Sequence, residues 1–557
     1  METFLVSSLA LCVMASLFIL RGLDDNSLIR WPWVFAQTAP ASLFGILGAG
    51  IIGAYLVARL PIAARHSPLL LFIASFASAA VFWPEPEVLV DASRYFTQAK
   101  HLEVYGIGYF FLEWGREISA WTDLPLVPFL YGLIFKFCGE SRVYIQIFNT
   151  LLFSATVILT YGIGRTLWSE EMGATAGALL LGIPYLLTQV PSMLADVPTM
   201  FFFTLAVYAF VQALHSGGTR RIVLASLALF LAFFSKYSTW PLLSVLLIVQ
   251  FVHLRRNVQG ARLRGSMIGL ISGLLIAGTI AAKYDVLSEQ IALLLSYQVP
   301  GLRRWGESPV STFLFQIHPL LTAAALYSVY AALKEKDWRY AILAWPLLLM
   351  VLLQVNRIRY MIPVFPMLAL MASYGLQSLR SSREVKKFAA ACAVVSSLAI
   401  AFWGYLPFVQ RFSSVNLKAA GEYLDTIPEE RVEVFALAQR DSRVNPAVSV
   451  PILDLFTRKD VSYRGEATPS APVHQVEQSA LRFTWEHRNP RYYATEPEGR
   501  EGNRAVVVIS HDVDQALEEE IQERVRGYRL SRVFDTYEGA FRYKTMVRVY
   551  QLLGPNP

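Results

Sequence analysis

The stretch MLADVPTMFFF, residues 193–203, decides how this chain is read. Apolar, leucine-rich sequence flanks it, yet it holds a carboxylate, Asp196, and a proline, Pro198. A charge at mid-bilayer is costly, and proline breaks a helix interior. Both costs fall away if Asp196 stands at the aqueous mouth of a membrane helix with Pro198 in its first turn, where the missing N–H has no helical partner anyway. The simplest role for such an acid is to cap the positive end of the helix dipole. A functional role needs support from the rest of the chain.

The composition is that of a polytopic membrane protein. Of 557 residues, 55% are hydrophobic and 16% charged, against about 25% charged in soluble proteins. Apolar runs long enough to span recur through most of the length. The runs predict 13 helices, at 4–20, 42–59, 67–83, 143–167, 173–190, 197–214, 221–235, 237–254, 266–283, 310–333, 339–355, 358–379 and 388–407. Arg21, and no small-residue cleavage site, follows the first run, so it is expected to stay as a helix. Cys12, Cys138 and Cys392 are too scattered for a metal site or a disulfide framework. The net charge of +7 is modest; it fits membrane topology, and no nucleic-acid partner is expected.

Every second loop is basic. Arg59, Arg65, Arg165, Arg220, Arg221, Arg255, Arg256, Arg262, Arg264, Lys334, Lys336, Arg339, Arg380, Arg383, Lys386 and Lys387 fall in one set. The positive-inside rule puts that set, and the N-terminus, in the cytoplasm. The opposite face then receives the long segment 84–142, the loop 284–309, the short joints at Asp196, Lys236 and Arg357, and everything from 408 onward. Within 84–142, SRYFTQAKHL (93–102) and YFFLEWGREISAW (109–121) predict helices lying in the interface. From 408 the apolar runs shorten. VEVFALA and AVVVIS read as strands, DQALEEEIQERV (514–525) as a helix and FRYKTMVRVYQLL as a last strand, which predicts a small α/β domain.

A more specific pattern now emerges. A span is followed by Asp91, then by an interfacial loop, then by LPLVPFLYGLIFKFCGES (124–141), a span ending YGIGRTLW and LADVPTMFF. FSKYSTWPLL (234–243) and RIRYMIPVFPMLALMASYGL (357–376) follow. This series resembles the C-type-fold glycosyltransferases that use polyprenyl-phosphate sugars, among them the protein O-mannosyltransferases and the lipid A aminoarabinose transferases. The resemblance covers about residues 67–407. It implies a transmembrane catalytic domain at 67–407; the apolar runs add extra N-terminal helices at 1–66, and the change of composition a periplasmic α/β domain at 408–557. The tail is expected to touch the acceptor or cover the active-site groove.

The resemblance also implies roles. Asp91 takes the place of the general base that removes the acceptor's proton, and Asp196 that of a neighbour that positions the acceptor or tunes the base. A paired carboxylate would raise its neighbour's pKa toward neutrality. The leaving group is a lipid phosphate, which needs cations. Lys236, Arg357, Arg359, Arg303 and Arg304 are the candidates on the outer face; Arg357 and Arg359 run against the positive-inside trend. Lys236, at a span end, also fits simple snorkelling. One residue departs from the family pattern: a basic residue or His usually precedes the Leu-Pro element, where this chain has Asp123. Either Arg116 replaces the missing cation or the donor is held differently. Glu85 and Glu87 read as solvated loop acids, and His101 and His318 as structural.

The resulting expectation is an all-α polytopic bundle with interfacial helices and an α/β tail domain, acting as a glycosyltransferase in a bacterial inner membrane. The donor would be a polyprenyl-phosphate-linked sugar and the acceptor a lipid, glycan or protein hydroxyl, with inversion at the anomeric carbon. No cofactor is required; paired aspartates permit a divalent metal, and nothing in the sequence indicates one. A transporter or lipid flippase is the rival reading, though such proteins tend to place ionisable groups at mid-membrane in repeated halves. A catalytically inactive scaffold of the same fold is the third.

Overall fold

The computed structural model describes residues 1–23, 34–36, 38–59, 66–85, 87, 90–301, 307–411, 414–437, 444–465, 476, 479, 481–494, 504–512, 514–535 and 545–552. Arg65, Arg303 and Arg304 lie outside the described residues, as do residues 541–544 of the expected last strand.

The chain is a multi-pass membrane protein. Among the described residues, seven helices are long and apolar enough to cross a bilayer: Glu2–Leu23, Pro40–Arg59, Arg142–Leu167, Asp196–Ser216, Ala261–Ala282, Ile358–Gln377 and Arg383–Val409. An eighth span results if Pro309–Ile317 and Pro319–Glu335 count together, although they bend by 117° at His318. The other apolar runs form shorter helices. The expected span 173–190 breaks into Glu170–Leu180 and Pro184–Gln189, because Pro184 cannot donate to the helix that precedes it.

Burial sorts these helices. Ile358–Gln377 and Asp196–Ser216 form the centre, with 83% and 72% of their apolar stretches covered, whereas only 11% of Ala261–Ala282 is covered. The exposed leucines of the last helix, Leu263, Leu270 and Leu274, suit contact with lipid. Small residues let the core helices close up. At Gly173, any Cβ would stand 2.4 Å from the Tyr161 carbonyl oxygen, so glycine is what lets Glu170–Leu180 lie against Arg142–Leu167.

The basic loops gather at one end. Arg339 donates to the Leu167 carbonyl at 2.7 Å, Arg383 pairs with Glu171 at 2.9 Å, and Arg264 donates to the Leu214 carbonyl. Asp91, Asp196 and the tail sit at the other end, separated by the length of Asp196–Ser216, roughly 30 Å at 1.5 Å per residue.

The segment after the third helix is not a loose loop. Asp91–Glu113 is helical and kinks at Gly106, whose φ of 89° is open to glycine and strained for other residues. Before the kink the helix is buried; beyond it Phe111 and Leu112 are exposed, as the interfacial reading expects. Glu85 and Glu87 are not solvated, contrary to the sequence reading. Glu87 accepts from Arg142 Nε at 2.9 Å and from the Met193 amide at 3.0 Å, and Glu85 accepts from Gln410 at 3.1 Å. They anchor the outer segment to the bundle and to the joint before Asp196.

The tail forms a five-stranded sheet of β1 (Arg431–Ala436), β2 (Asp460–Tyr463), β3 (Arg504–Ser510), β4 (Tyr528–Phe534) and β5 (Met546–Leu552), in the order β2-β1-β3-β5-β4. β1 pairs in parallel with β2 and β3, and β5 runs antiparallel to β3 and β4. β3 reads as an unbroken apolar run because both its faces are covered. The helix expected at 514–525 spans only Glu519–Arg524. Upstream, the Asp512 and Gln515 carbonyls accept from Arg548. The tail docks on the Asp91 end: Lys100 Nζ lies 2.6 Å from Asp454 Oδ2, and Ser414 donates to the Glu87 carbonyl.

Candidate active site

Four separate chain segments meet at the tail-bearing end. Asp91 is the first residue of its helix and Asp196 the first residue of another. Arg359 sits in the first turn of the segment that starts at Ile358, set up by Arg357 in extended conformation. Arg359 Nη1 lies 2.8 Å from Asp91 Oδ2, and its Nε 2.7 Å from Asp196 Oδ2. The second oxygen of Asp196 accepts from Lys236 Nζ at 2.5 Å. Lys236 itself ends the helix Thr219–Ser235, with an extended backbone that turns its side chain inward.

Asp196 is therefore more than a cap: both of its oxygens are spent on cations. It is 1% exposed and Arg359 is 4% exposed. Buried charges persist when paired and hydrogen-bonded, and two cations facing two acids meet that condition. Asp91 is the most open of the three. It also faces Arg94, one helical turn on, at 3.5 Å.

The two carboxylates are not paired with each other, which overturns the expectation that Asp196 raises the pKa of Asp91. Burial pushes Asp91 up, but the guanidiniums of Arg359, Arg94 and Arg357 outweigh it and hold the carboxyl well below the usual carboxylate range. For Asp123, burial pushes the carboxyl up, Arg94 pulls it down and Asp91 adds to the rise, leaving it above the usual range.

Asp123 does join the cluster. It accepts from Tyr95 Oη and Arg94 Nη2, each at 3.1 Å, and pairs with Arg94 Nε. The cation opposite it is thus Arg94, not Arg116. Arg116 is exposed on the turn after Glu113, where it adds to the effect of burial in lowering the Lys283 pKa, and no contact joins it to Asp91 or Asp123. Arg357 is buried, donates to Tyr360 Oη at 3.3 Å and stands over that ring. Lys236 lies 5.4 Å from the same ring, so Tyr360 gathers two cations.

Sequence reasoning missed Arg94 and Tyr360. Arg94 carried a signal, since position i+3 on a helix shares a face with Asp91. His101 and His318 are buried: His101 Nδ1 donates to the Thr97 carbonyl at 2.7 Å, and His318 caps the Pro319 helix and meets Ser396 at 2.9 Å. Among the described residues, no group of three or more His, Cys, Asp or Glu side chains is placed to hold a metal ion.

Residues 123–281 match the family model described as dolichyl-phosphate-mannose-protein mannosyltransferase. No curated protein sequence matches the chain. ArnT from Cupriavidus metallidurans, solved bound to undecaprenyl phosphate, superposes at a TM-score of 0.53 and 11% identity, over 86% of this chain and 97% of that one. Its apo structure gives 0.54 at 11% identity, over 87% and 98%. The likeness shows the fold: the chain is built on the same fold as these ArnT structures.

Proposed function

We propose that this chain is a membrane glycosyltransferase that moves a sugar from a polyprenyl phosphate to a hydroxyl of a lipid, glycan or protein at the extracytoplasmic face. The observation that carries the reading is the placement of Arg359, buried between Asp91 and Asp196 and backed by Lys236 and Arg357. The mannosyltransferase match over 123–281 and the fold shared with an undecaprenyl-phosphate-bound transferase support it. A bacterial inner membrane, with the N-terminus in the cytoplasm and the tail outside, fits the basic loops gathered at the far end.

The resting geometry suggests how the step runs. The lipid phosphate brings negative charge to Arg359, Arg357 and Lys236 and competes with the carboxylates for them. Asp91 then loses much of the cationic field that depresses its pKa, and becomes a better proton acceptor. The acceptor hydroxyl oxygen bonds to the anomeric carbon as the bond from that carbon to the phosphate oxygen breaks. The hydroxyl proton passes to Asp91, and the polyprenyl phosphate leaves as an anion held by the three cations. A single displacement inverts the anomeric carbon. No metal is needed in this scheme, because side-chain cations neutralise the leaving group.

A transporter is less well supported, since the ionisable groups collect at one end and not at mid-membrane. The test is reconstitution of the purified chain with a mixture of polyprenyl-phosphate sugars and membrane extract as acceptor. Release of polyprenyl phosphate, read by mass, supports the transferase. Donor that crosses the bilayer uncleaved would indicate a flippase, and donor bound but never cleaved an inactive scaffold.

A further inference from the structure

Within the membrane-spanning part lies a cavity of about 510 Å³, inside the range of about 300–1,000 Å³ that holds whole ligands. Phe210 of Asp196–Ser216 and Leu229 of Thr219–Ser235 form its back wall. Its sides are the helices Val245–Arg255 and Ala261–Ala282. Leu247 on the first is 72% exposed, and Gly269 on the second is exposed too, so the cavity opens between them toward lipid.

The two ends of the cavity differ. Toward Lys236 stand Phe233 and Trp240, with stacked rings 4.5 Å apart. Trp240 Nε1 donates to the Phe233 carbonyl at 2.9 Å, which locks the pair. Ser266 and Arg262 form the other end, among the basic loops. Gly265 draws the two side helices together there: a Cβ would collide with Gln250 Oε1, and Gln250 Nε2 donates to the Ala261 carbonyl at 3.2 Å. One turn on, a Cβ at Gly269 would meet no atom within 4 Å, so the space stays open.

Depth and charge say what fills it. Val245–Arg255 rises roughly 15 Å at 1.5 Å per residue, half of a hydrocarbon core of about 30 Å. The cavity therefore lies mainly in the leaflet on the basic-loop side, while Asp91 and Asp196 face the other. Water finds few partners on such apolar walls, and a hydrocarbon chain suits them better. The charge around the mouth has one sign. No aspartate or glutamate occurs between Asp196 and Asp285, whereas Arg220, Arg221, Arg255, Arg256, Arg262 and Arg264 all do. Several are spent within the protein. Arg264 donates to the Leu214 carbonyl, Arg221 donates to the Gly217 carbonyl at 2.9 Å, and Arg255 stands 4.0 Å over the Trp338 ring. Asp337, beside Trp338, is taken by Arg339 at 2.7 Å. Arg262 is exposed, and among the described residues its guanidinium has no hydrogen bond or ion pair.

We propose that this cavity holds an acyl chain of an anionic phospholipid from the leaflet on the basic-loop side, with the lipid phosphate on Arg262 and the Ser266 hydroxyl. Basic pockets between membrane helices recognise anionic headgroups in this way. The site asks for both halves of the ligand, a chain for the apolar walls and an anion at Arg262. The tail of a polyprenyl phosphate lacks the second half, because a phosphate held near Asp91 leaves only hydrocarbon at this depth. The locked Phe233–Trp240 pair also stands between that end and the cavity. A zwitterionic lipid brings its own cation, which weakens the pull of the arginine. The inference is independent of the transferase reading.

The experiment is native mass spectrometry of the delipidated full chain in detergent, titrated separately with phosphatidylglycerol, phosphatidylcholine and undecaprenyl phosphate. Phosphatidylglycerol should bind about tenfold more tightly than phosphatidylcholine. Arg262→Gln should remove that advantage, the loss of one charge-assisted hydrogen bond. Gly269→Leu fills the open space on a helix that favours leucine over glycine, and should weaken phosphatidylglycerol binding by about tenfold or more. Arg220→Gln removes an exposed arginine of the same end that does not line the cavity, and should change neither lipid. Arg262→Gln alters an exposed side chain and serves if Gly269→Leu does not fold. Equal binding of the two phospholipids, or equal weakening by Arg262→Gln and Arg220→Gln, would reduce the site to diffuse surface charge and overturn the proposal. Undecaprenyl phosphate binding that is lost in Gly269→Leu and kept in Arg262→Gln would assign the cavity to the donor's tail and overturn it as well.

Discussion

Asp91 and Asp196 do not touch; one guanidinium, that of Arg359, spans them at 2.8 and 2.7 Å. The two acids are the first residues of different helices, so Arg359 also fixes how those helices stand to one another. The site is thus a charge network that ties helices together, and the proposed chemistry would draw on the same groups.

If Asp91 accepts the proton, Asp91→Asn should keep the fold and lipid-phosphate binding while sugar transfer falls about 10²- to 10⁴-fold. Asp123→Asn is the necessary comparison, because burial and Asp91 hold the Asp123 carboxyl above the usual range. Transfer assays on both variants decide the base. A larger loss for Asp123→Asn would move the role to Asp123.

Arg359→Gln should leave two acids without their shared partner. Removing one member of a buried ion network costs about 3–5 kcal/mol, so thermal unfolding in detergent should shift sharply downward. Arg359→Lys keeps the charge but has no planar fork with which to reach both carboxylates. It should fold better than Arg359→Gln yet bind lipid phosphate more weakly than the parent. An unfolding curve for Arg359→Gln that overlays the parent's would refute the network's structural role.

Glu87→Ala should destabilise by a similar few kcal/mol, since it strands buried Arg142 and the Met193 amide. Glu422→Ala removes an exposed acid that pairs with Lys418, and should change unfolding by less than about 1 kcal/mol. Comparing their melting curves checks the claim that the outer segment is bolted to the bundle.

The contact between tail and bundle should depend on pH. Burial raises the Asp454 and Glu140 carboxyls to about 7 from ordinary values of 3.8 and 4.5, against the pull of Lys100. Glu103 and Tyr493 also face this group. The folded state therefore binds protons more tightly than the unfolded one. The stabilisation is complete below about pH 4 and is lost as pH rises through about 7. Hydrogen exchange in residues 449–454 should quicken from pH 5 to pH 8, after correction for intrinsic rates, and Asp454→Asn should flatten that trend. A flat profile in the parent would refute it.

The sequence alone determined the membrane class, the sorting of basic loops to one end and the candidacy of Asp91 and Asp196. Those features are local: apolar run length, loop charge and short motifs are written in consecutive residues, and the bilayer imposes them on each span separately. It also marked the AVVVIS stretch as a strand of the tail, and a strand covered on both faces is apolar throughout, as β3 is. Tertiary structure decided the rest. Arg359 and Lys236 could be proposed as cations from their positions, but that one guanidinium would separate the two acids, and so lower the pKa of Asp91 where adjacent carboxylates would have raised it, depends on three helix ends converging. Glu87 looked like any loop acid until Arg142 was brought against it. Arg94, and not Arg116, faces Asp123 because a helix, and not a loop, follows Asp91. Pairings between distant residues leave no local periodicity, so they became legible only when packing set the distances.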